Sequence, residues 1–135
     1  MPAPLRPPLE RVRVVIADDD RAFAELLRST LMAHADVEVV GVAKDGVEAV
    51  DLASVLKPDL VVMDVGMPRV DGIEAARQLA LLAKRPRVVL ITGNDSPTAD
   101  RRAYASGASA YLRKSGDVAG MVDMVVGMSS VTASA

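Results

Sequence analysis

The chain has 135 residues, of which 50% are hydrophobic and 25% charged, and this predicts one globular domain with a sizeable core. It has no cysteine and one histidine, which excludes disulfides, thiolate metal sites and multi-histidine metal sites. The net charge of −2 and the aromatic content of 2% argue against direct nucleic-acid binding. The sequence shows no signal peptide or membrane-spanning stretch, so we expect a cytoplasmic protein that contacts no membrane.

Five short apolar runs, bounded by polar or turn residues, predict five strands. Residues 1–10, before the first run, are proline-rich and are expected to form a disordered tail. Three of the runs are nearly continuous, which is typical of buried parallel strands. The second run contains Glu38 and Gly41 and indicates a strand nearer an edge. The predicted strands cover residues 12–17, 37–43, 60–63, 88–91 and 110–112.

Apolar residues at helical spacing fill the gaps between the predicted strands. Asp20 is the predicted N-cap of the first helix, Pro58 and Pro86 end the second and third, and Pro97 occupies the first position of the fourth. A fifth helix is weaker because it contains two glycines, and a flexible tail is expected over 129–135. The predicted helices cover residues 20–31, 47–56, 73–83, 97–107 and 117–128.

Strict alternation of strand and helix predicts a parallel sheet with helices on both faces. Five such units fit the flavodoxin-like, doubly wound (βα)5 fold, with a five-stranded parallel sheet in the order 2-1-3-4-5. We expect this domain to span residues 11–128. Ligands of such folds bind beyond the carboxyl ends of the strands, which here means between the first and third strands.

Charged and hydroxyl side chains follow the predicted strands at that edge. Asp18 and Asp19 follow the first strand, Asp64 the third and Thr92 the fourth, and Lys114 lies just past the fifth. Three close carboxylates raise one another's pKa unless a hard cation such as Mg²⁺ removes the repulsion. A carboxylate can also attack phosphorus, and an ammonium and a hydroxyl can stabilise the transferring group. The set therefore predicts a phosphoryl-accepting aspartate site that uses Mg²⁺.

At this point the chain resembles the receiver domains of bacterial two-component response regulators, including the chemotaxis-type and LuxR-type receivers. Each matching segment is weak evidence alone, but together, in order and at strand ends, they are highly specific. The resemblance covers about residues 11–128. The segments are IADD at 16–19, LVVMDVGMPRVDG at 60–72, VLITG at 89–93 and GASAYLRK at 107–114.

The resemblance implies roles for the acidic residues. Asp64 would be the phosphoacceptor, which takes a phosphoryl group from a phosphohistidine on a sensor kinase. Asp19 and Asp64 would bind Mg²⁺ directly together with the backbone carbonyl oxygen of Gly66, and Asp18 would act mainly through water. Gly66 is unusually small for its position, which in the family affects the lifetime of the phosphate together with Asn94.

The resemblance also implies a switch. The Thr92 hydroxyl would move toward the phosphoryl oxygens, Lys114 would pair with the phosphate, and Tyr111 would be the aromatic residue that turns inward. Many receivers have proline after the lysine, where this chain has Ser115, but LuxR-type receivers often lack it too. The expected partners are a sensor histidine kinase or phosphotransfer protein and a downstream protein target, with a possible homodimer on phosphorylation. Apart from its own phosphotransfer and autodephosphorylation, such a module is not an enzyme.

Three alternatives remain open from the sequence. The chain could be the receiver half of a longer DNA-binding transcriptional regulator. It could be a phosphatase of the haloacid-dehalogenase type, although the second acidic pair that such an enzyme needs is missing. A flavin-binding electron carrier on the same fold would need a hydroxyl- and glycine-rich loop after the first strand, where this chain has carboxylates.

Overall fold

The computed structural model describes residues 11–93, 101–102, 105–114 and 116–133, with side chains to residue 127. Five parallel strands form one sheet in the order β2-β1-β3-β4-β5. This confirms the predicted order and the edge position of the second strand. The strands are β1 Val12–Ala17, β2 Val37–Ala43, β3 Leu60–Asp64, β4 Arg87–Thr92 and β5 Ala110–Arg113. The helices with described bounds are α1 Arg21–Met32, α2 Gly46–Leu56, α3 Gly72–Leu79 and α4 Val118–Ala133.

Alternate residues of the central strands point to opposite faces and build two cores. On one face, residues such as Val15, Val61 and Leu90 pack with α2 and α3 in what we call the α2/α3 cluster. On the other face, residues such as Ile16 and Val62 pack with α1 and α4 in the α1/α4 cluster. Because β3 is buried along its whole length, its carboxyl end has a fixed position in the middle of the sheet.

Aspartate side chains cap three of the described helices that begin at the carboxyl edge of the sheet. Asp20, Asp45 and Asp71 each accept a hydrogen bond from the backbone N–H three residues further on, at 3.2, 2.8 and 2.9 Å. Such caps are the preferred start of a helix because they satisfy donors that have no partner inside it. The N-cap predicted at Asp20 is thereby confirmed.

Two helix ends differ from the sequence prediction. Helix α3 ends at Leu79 rather than near Ala83, because the chain tightens: the N–H groups of Leu81 and Leu82 each bond to the carbonyl three residues back. Helix α4 continues to Ala133, although its end was predicted at Met128. Glycine is tolerated inside a helix at a modest cost, and residues 118–133 contain no proline that would break this one. Of the predicted helix over 97–107, Arg101, Arg102 and Ala105 are helical and most of the rest lies outside the described residues.

The end of α2 offers a stability prediction. Lys57 caps the helix with a φ of 51°, a left-handed conformation that side chains with a Cβ disfavour and glycine adopts freely. We expect Lys57→Gly to raise the free energy of unfolding by roughly 0.5–1 kcal/mol, measured by urea denaturation. Lys57→Ala is the matched control, since it shortens the side chain and keeps the Cβ. Equal stability of the two variants would contradict the prediction.

Candidate phosphoacceptor site

Three aspartate side chains meet at the carboxyl edge of the sheet. Asp18 and Asp19 follow β1, and Asp64 is the last residue of the neighbouring strand β3. One carboxylate oxygen from each lies within 4.8 Å of the other two. Asp18 and Asp64 are buried, whereas Asp19 is exposed. The structure thus brings together the three carboxylates that the sequence predicts as one site, and leaves the cluster open at Asp19.

Lys114 provides a positive charge beside this cluster. Its Nζ atom lies 3.1 Å from Oδ2 of Asp18 and 3.7 Å from Oδ1 of Asp64. Its backbone N–H donates to the carbonyl oxygen of Thr92 at 2.7 Å, which ties residue 114 to the end of β4. With 23% of its side chain exposed, the ammonium is drawn into the site rather than left in bulk solvent.

The electrostatics of the site are those of crowded, partly desolvated charges. Burial raises the pKa of Asp64 above its ordinary 3.8, and the negative charge of Asp18 raises it further. The ammonium of Lys114 and the backbone N–H of Gly66 act in the opposite direction without cancelling this effect. Burial alone would lower the pKa of Lys114, but its hydrogen bond to Asp18 and the charge of Asp64 raise that pKa above 10.5.

The two members of the acidic pair have different surroundings. Asp18 is 3% exposed; its backbone N–H donates to the carbonyl oxygen of Ala43, and its Oδ1 accepts from the backbone N–H of Asp20 at 2.9 Å. Asp18 is therefore held by backbone on one side and by Lys114 on the other. Asp19 is exposed, so its carboxylate is accessible from solvent.

The loop after Asp64 is held by close backbone contacts. The N–H of Val65 donates to a β4 carbonyl at 2.9 Å. Gly72, at the start of α3, lies so near the carbonyl group of Asp64 that a Cβ there would clash, and Gly46 meets the carbonyl of Val70 in the same way. These contacts fix the Asp64 backbone and tie the loop to α2, so that the carboxylate projects from a rigid support.

The arrangement suits a hard divalent cation. Three carboxylates within reach of one ion, one of them exposed, are the oxygen ligands that Mg²⁺ prefers, and such a site leaves room for the waters and phosphate oxygens that Mg²⁺ also binds. Burial and the negative charge of Asp18 both raise the pKa of Asp64, and a cation bound among the three carboxylates would offset both effects. The residues present therefore fit the ion.

Comparison with known proteins assigns the family. Residues 14–126 match the family model for the response regulator receiver domain. This chain belongs to that family. The receiver domain is 42% identical over 103 residues to the response regulator MprA of a Mycobacterium species, which covers 76% of this chain and 44% of the relative. It is 41% identical over 113 residues to the transcriptional regulatory protein PdtaR of Mycobacterium tuberculosis, covering 84% of this chain and 54% of that protein.

A solved structure of another receiver domain has the same fold. The receiver domain of a response regulator, NarL of Mycobacterium tuberculosis, superposes with a TM-score of 0.84 at 33% identity, covering 90% of this chain and 98% of that one. The chain spans about half the length of the curated relatives named here. Receiver domains act in two-component signalling, where they interact with histidine kinases and effector targets and generally use Mg²⁺ at an acidic pocket. No helix in the described part of this receiver has the length and apolar character that crossing a bilayer requires.

The other residues predicted for the receiver site are placed as follows. Thr92 ends β4 and is 4% exposed, one residue past the Asp64–Ile91 pair of the β3–β4 ladder. Tyr111 lies on β5, opposite Leu90, and its partly buried side chain packs against the α2/α3 cluster. Gly66 contributes its backbone N–H, which donates a hydrogen bond to the Asp64 carboxylate. Asn94 and Ser115 lie outside the described residues.

Two side-chain contacts near the amino ends of α1 and α2 are not predicted from the sequence. The Phe23 ring lies beside the Lys114 ammonium, and Nε of Arg69 lies 3.7 Å from Oδ2 of the buried cap Asp45. Arg69 has a φ of 67°. This is a left-handed conformation, which glycine adopts more readily than residues with a Cβ. For Phe23 a signal existed: the first turn of a helix that starts at the acidic edge must carry its side chains close to the site.

Proposed function

We propose that Asp64 is the phosphoacceptor of this receiver and that Asp18, Asp19, Thr92 and Lys114 support its phosphorylation. The observation that carries the proposal is the convergence of three carboxylates and one ammonium at the end of β3. Asp64 lies at the centre of the sheet edge, with its carboxylate bonded to the Gly66 N–H and close to the Lys114 ammonium. The nucleophile is thus held in place beside a positive charge.

The transfer itself is a displacement at phosphorus. A carboxylate oxygen of Asp64 forms a bond to the phosphorus of a phosphohistidine, and the phosphorus–nitrogen bond breaks with its electron pair returning to the imidazole. The buried backbone around Asp64 keeps the attacking oxygen fixed during this step, because proximity and orientation supply much of the rate in phosphoryl transfer. Asp64 must be ionised to attack, and Lys114 favours that form.

Asp19, Asp64 and the carbonyl oxygen of Gly66 are the proposed direct ligands of Mg²⁺, with Asp18 acting mainly through water. When bound, Mg²⁺ supplies positive charge that neutralises the carboxylates and the phosphoryl oxygens. The burial of Asp18, its bond to Lys114 and the exposure of Asp19 support this division of roles. Asp18 has fewer free directions from which a cation can approach it.

Thr92, Lys114 and Tyr111 are proposed to respond to the phosphoryl group once it is attached to Asp64. Lys114 already lies at the carboxylate that would carry it, and Thr92 ends the strand beside β3. Bonds from the ammonium and the hydroxyl to phosphoryl oxygens would pull on the ends of β4 and β5. Tyr111, on β5, is the residue through which that movement would reach a partner-binding face. The output is a changed affinity for a downstream protein or for a second copy of the chain, rather than catalysis on a substrate.

The decisive experiment is intact mass after incubation with Mg²⁺ and acetyl phosphate as the phosphodonor. We expect the wild type to gain one phosphoryl group and Asp64→Asn to gain none, because the amide is not a nucleophile toward phosphorus. Asp51→Asn is the matched control: the same change on an exposed residue of α2 should leave phosphorylation intact. Labelling of Asp64→Asn, or a folded wild type that binds Mg²⁺ and stays unmodified with both acetyl phosphate and a phosphorylated kinase, would overturn the proposal.

A further inference from the structure

The Lys114 ammonium lies over an aromatic ring as well as beside two carboxylates. Its Nζ atom is 4.4 Å from the centroid of the Phe23 ring, within the distance at which an aromatic face attracts a cation. The ring is partly buried and packs against the α1/α4 cluster, so the core fixes its position. The ammonium thus has one rigid, neutral neighbour and two negatively charged ones.

The local sequence explains why the ring lies there. Phe23 is in the first turn of α1, and its backbone N–H donates to the cap Asp20, which directly follows the acidic pair. Lys114 directly follows β5, which lies three strands away from β1 in the sheet. Its side chain therefore has to extend across the carboxyl edge to reach the acidic pair. A lysine stem that extends so far loses rotamer entropy when its end is held. A fixed aromatic face reduces the number of positions that the ammonium samples.

The ring and the carboxylates hold the ammonium by different means. The attraction of Asp18 and Asp64 depends on their negative charge, and it falls when a bound divalent cation shares those carboxylates. The attraction of an aromatic face comes from its quadrupole and does not depend on the carboxylates. Phe23 can therefore keep Lys114 in place when the acidic cluster is neutralised.

We propose that Phe23 is a positioning residue that holds the Lys114 ammonium at Asp64, ready to pair with a phosphoryl group there. The inference rests on the proposed phosphoacceptor role of Asp64. Phe23 acts through Lys114: its ring contacts the ammonium and supplies no group to the reaction. The substitution Phe23→Leu removes the aromatic face and keeps apolar bulk for the core, and Phe23→Tyr keeps the face.

A first test needs no phosphorylation. The Hε protons of Lys114 in the ion-free protein should resonate upfield in the wild type and in Phe23→Tyr, because the ring current shields protons above an aromatic face. In Phe23→Leu they should return toward ordinary lysine positions. The assignment comes from the signals lost in Lys114→Arg. Unchanged Lys114 signals in a folded Phe23→Leu protein would overturn the proposal.

A second test measures function. With Mg²⁺ present, beryllofluoride, a mimic of the phosphoryl group, should bind Phe23→Leu between about twofold and tenfold more weakly than wild type, and Phe23→Tyr about as tightly. In a Lys114→Met background the same Phe23→Leu change should have no further effect, since the residue through which it acts is absent. Wild-type binding with an unchanged Phe23→Leu affinity, or an equal loss in both backgrounds, would refute the role of Phe23 and leave the phosphoacceptor proposal standing. Failure of the wild type to bind beryllofluoride would count against the phosphoacceptor proposal itself.

Discussion

Asp64→Asn is expected to be more stable than the wild type in the absence of divalent cations. The substitution removes one of three carboxylates whose oxygens lie within 4.8 Å of one another, and an amide of the same shape can keep the bond from the Gly66 N–H. Like charges at such distances cost on the order of 1–2 kcal/mol each in a partly solvated site. We expect a gain of about that size, measured as the free energy of unfolding in urea at pH 7.5 with EDTA.

The pH dependence of this gain is a stricter test. Because the pKa of Asp64 in the folded protein lies above its ordinary 3.8, the folded state binds the proton more tightly than the unfolded state. The contribution of Asp64 to stability therefore falls as the pH rises from about the unfolded value through the folded pKa. The advantage of Asp64→Asn should accordingly be largest at neutral pH and shrink toward pH 4.

Mg²⁺ and a control variant complete the experiment. Saturating Mg²⁺ should stabilise the wild type by mass action and reduce or reverse its difference from Asp64→Asn. Asp51→Asn, on the exposed face of α2, should change stability by less than about 0.5 kcal/mol under all conditions. Equal urea midpoints for the wild type and Asp64→Asn at pH 7.5 without metal would mean that the cluster is not strained.

The sheet could be predicted from the sequence because continuous apolar runs are typical of strands that are covered on both faces. Residues such as Val61 and Val62 point to opposite faces and are both buried, so continuous apolarity correctly predicted a strand covered on both sides. Parallel strands then brought their polar carboxyl-end residues together without further information. This is why the sequence alone predicts that Asp18, Asp19 and Asp64 lie in one cluster.

What the sequence could not show depends on side-chain direction and on local backbone energy. Leu82, just past the end of α3, packs against the α2/α3 cluster, a tertiary contact that helical spacing does not reveal. The left-handed backbone at Arg69 gives no signal, since arginine is rare there. The first turn of α1 places Phe23 near the acidic edge, but helical spacing does not show that its ring lies over the ammonium of Lys114, 91 positions away in the chain.

Lys114→Met should bind Mg²⁺ more tightly than the wild type, by roughly tenfold or more. In the ion-free protein the ammonium lies 3.1 Å from Asp18 and 3.7 Å from Asp64, where it neutralises the carboxylates that a cation needs. A doubly charged ion within about 5 Å of an ammonium is repelled by more than 1 kcal/mol even at the dielectric constant of water. Calorimetric titration with MgCl₂ at pH 8, where the carboxylates are ionised, measures the effect.

The same substitution should weaken the response to a phosphoryl group while it strengthens metal binding. Methionine keeps an unbranched apolar stem that is one atom shorter than lysine and offers no charge to phosphoryl oxygens, so beryllofluoride affinity should fall although Mg²⁺ affinity rises. Lys84→Met is the matched control, because Lys84 pairs with Asp59 just before β3, at the opposite edge of the sheet, and should leave both affinities unchanged. Lys114→Arg, which keeps the charge, should not gain Mg²⁺ affinity. If Lys114→Met bound Mg²⁺ no better than the wild type, the ammonium would not compete with the metal. If its affinities for Mg²⁺ and for beryllofluoride both rose, the charge of Lys114 would oppose the phosphoryl-bound state instead of stabilising it.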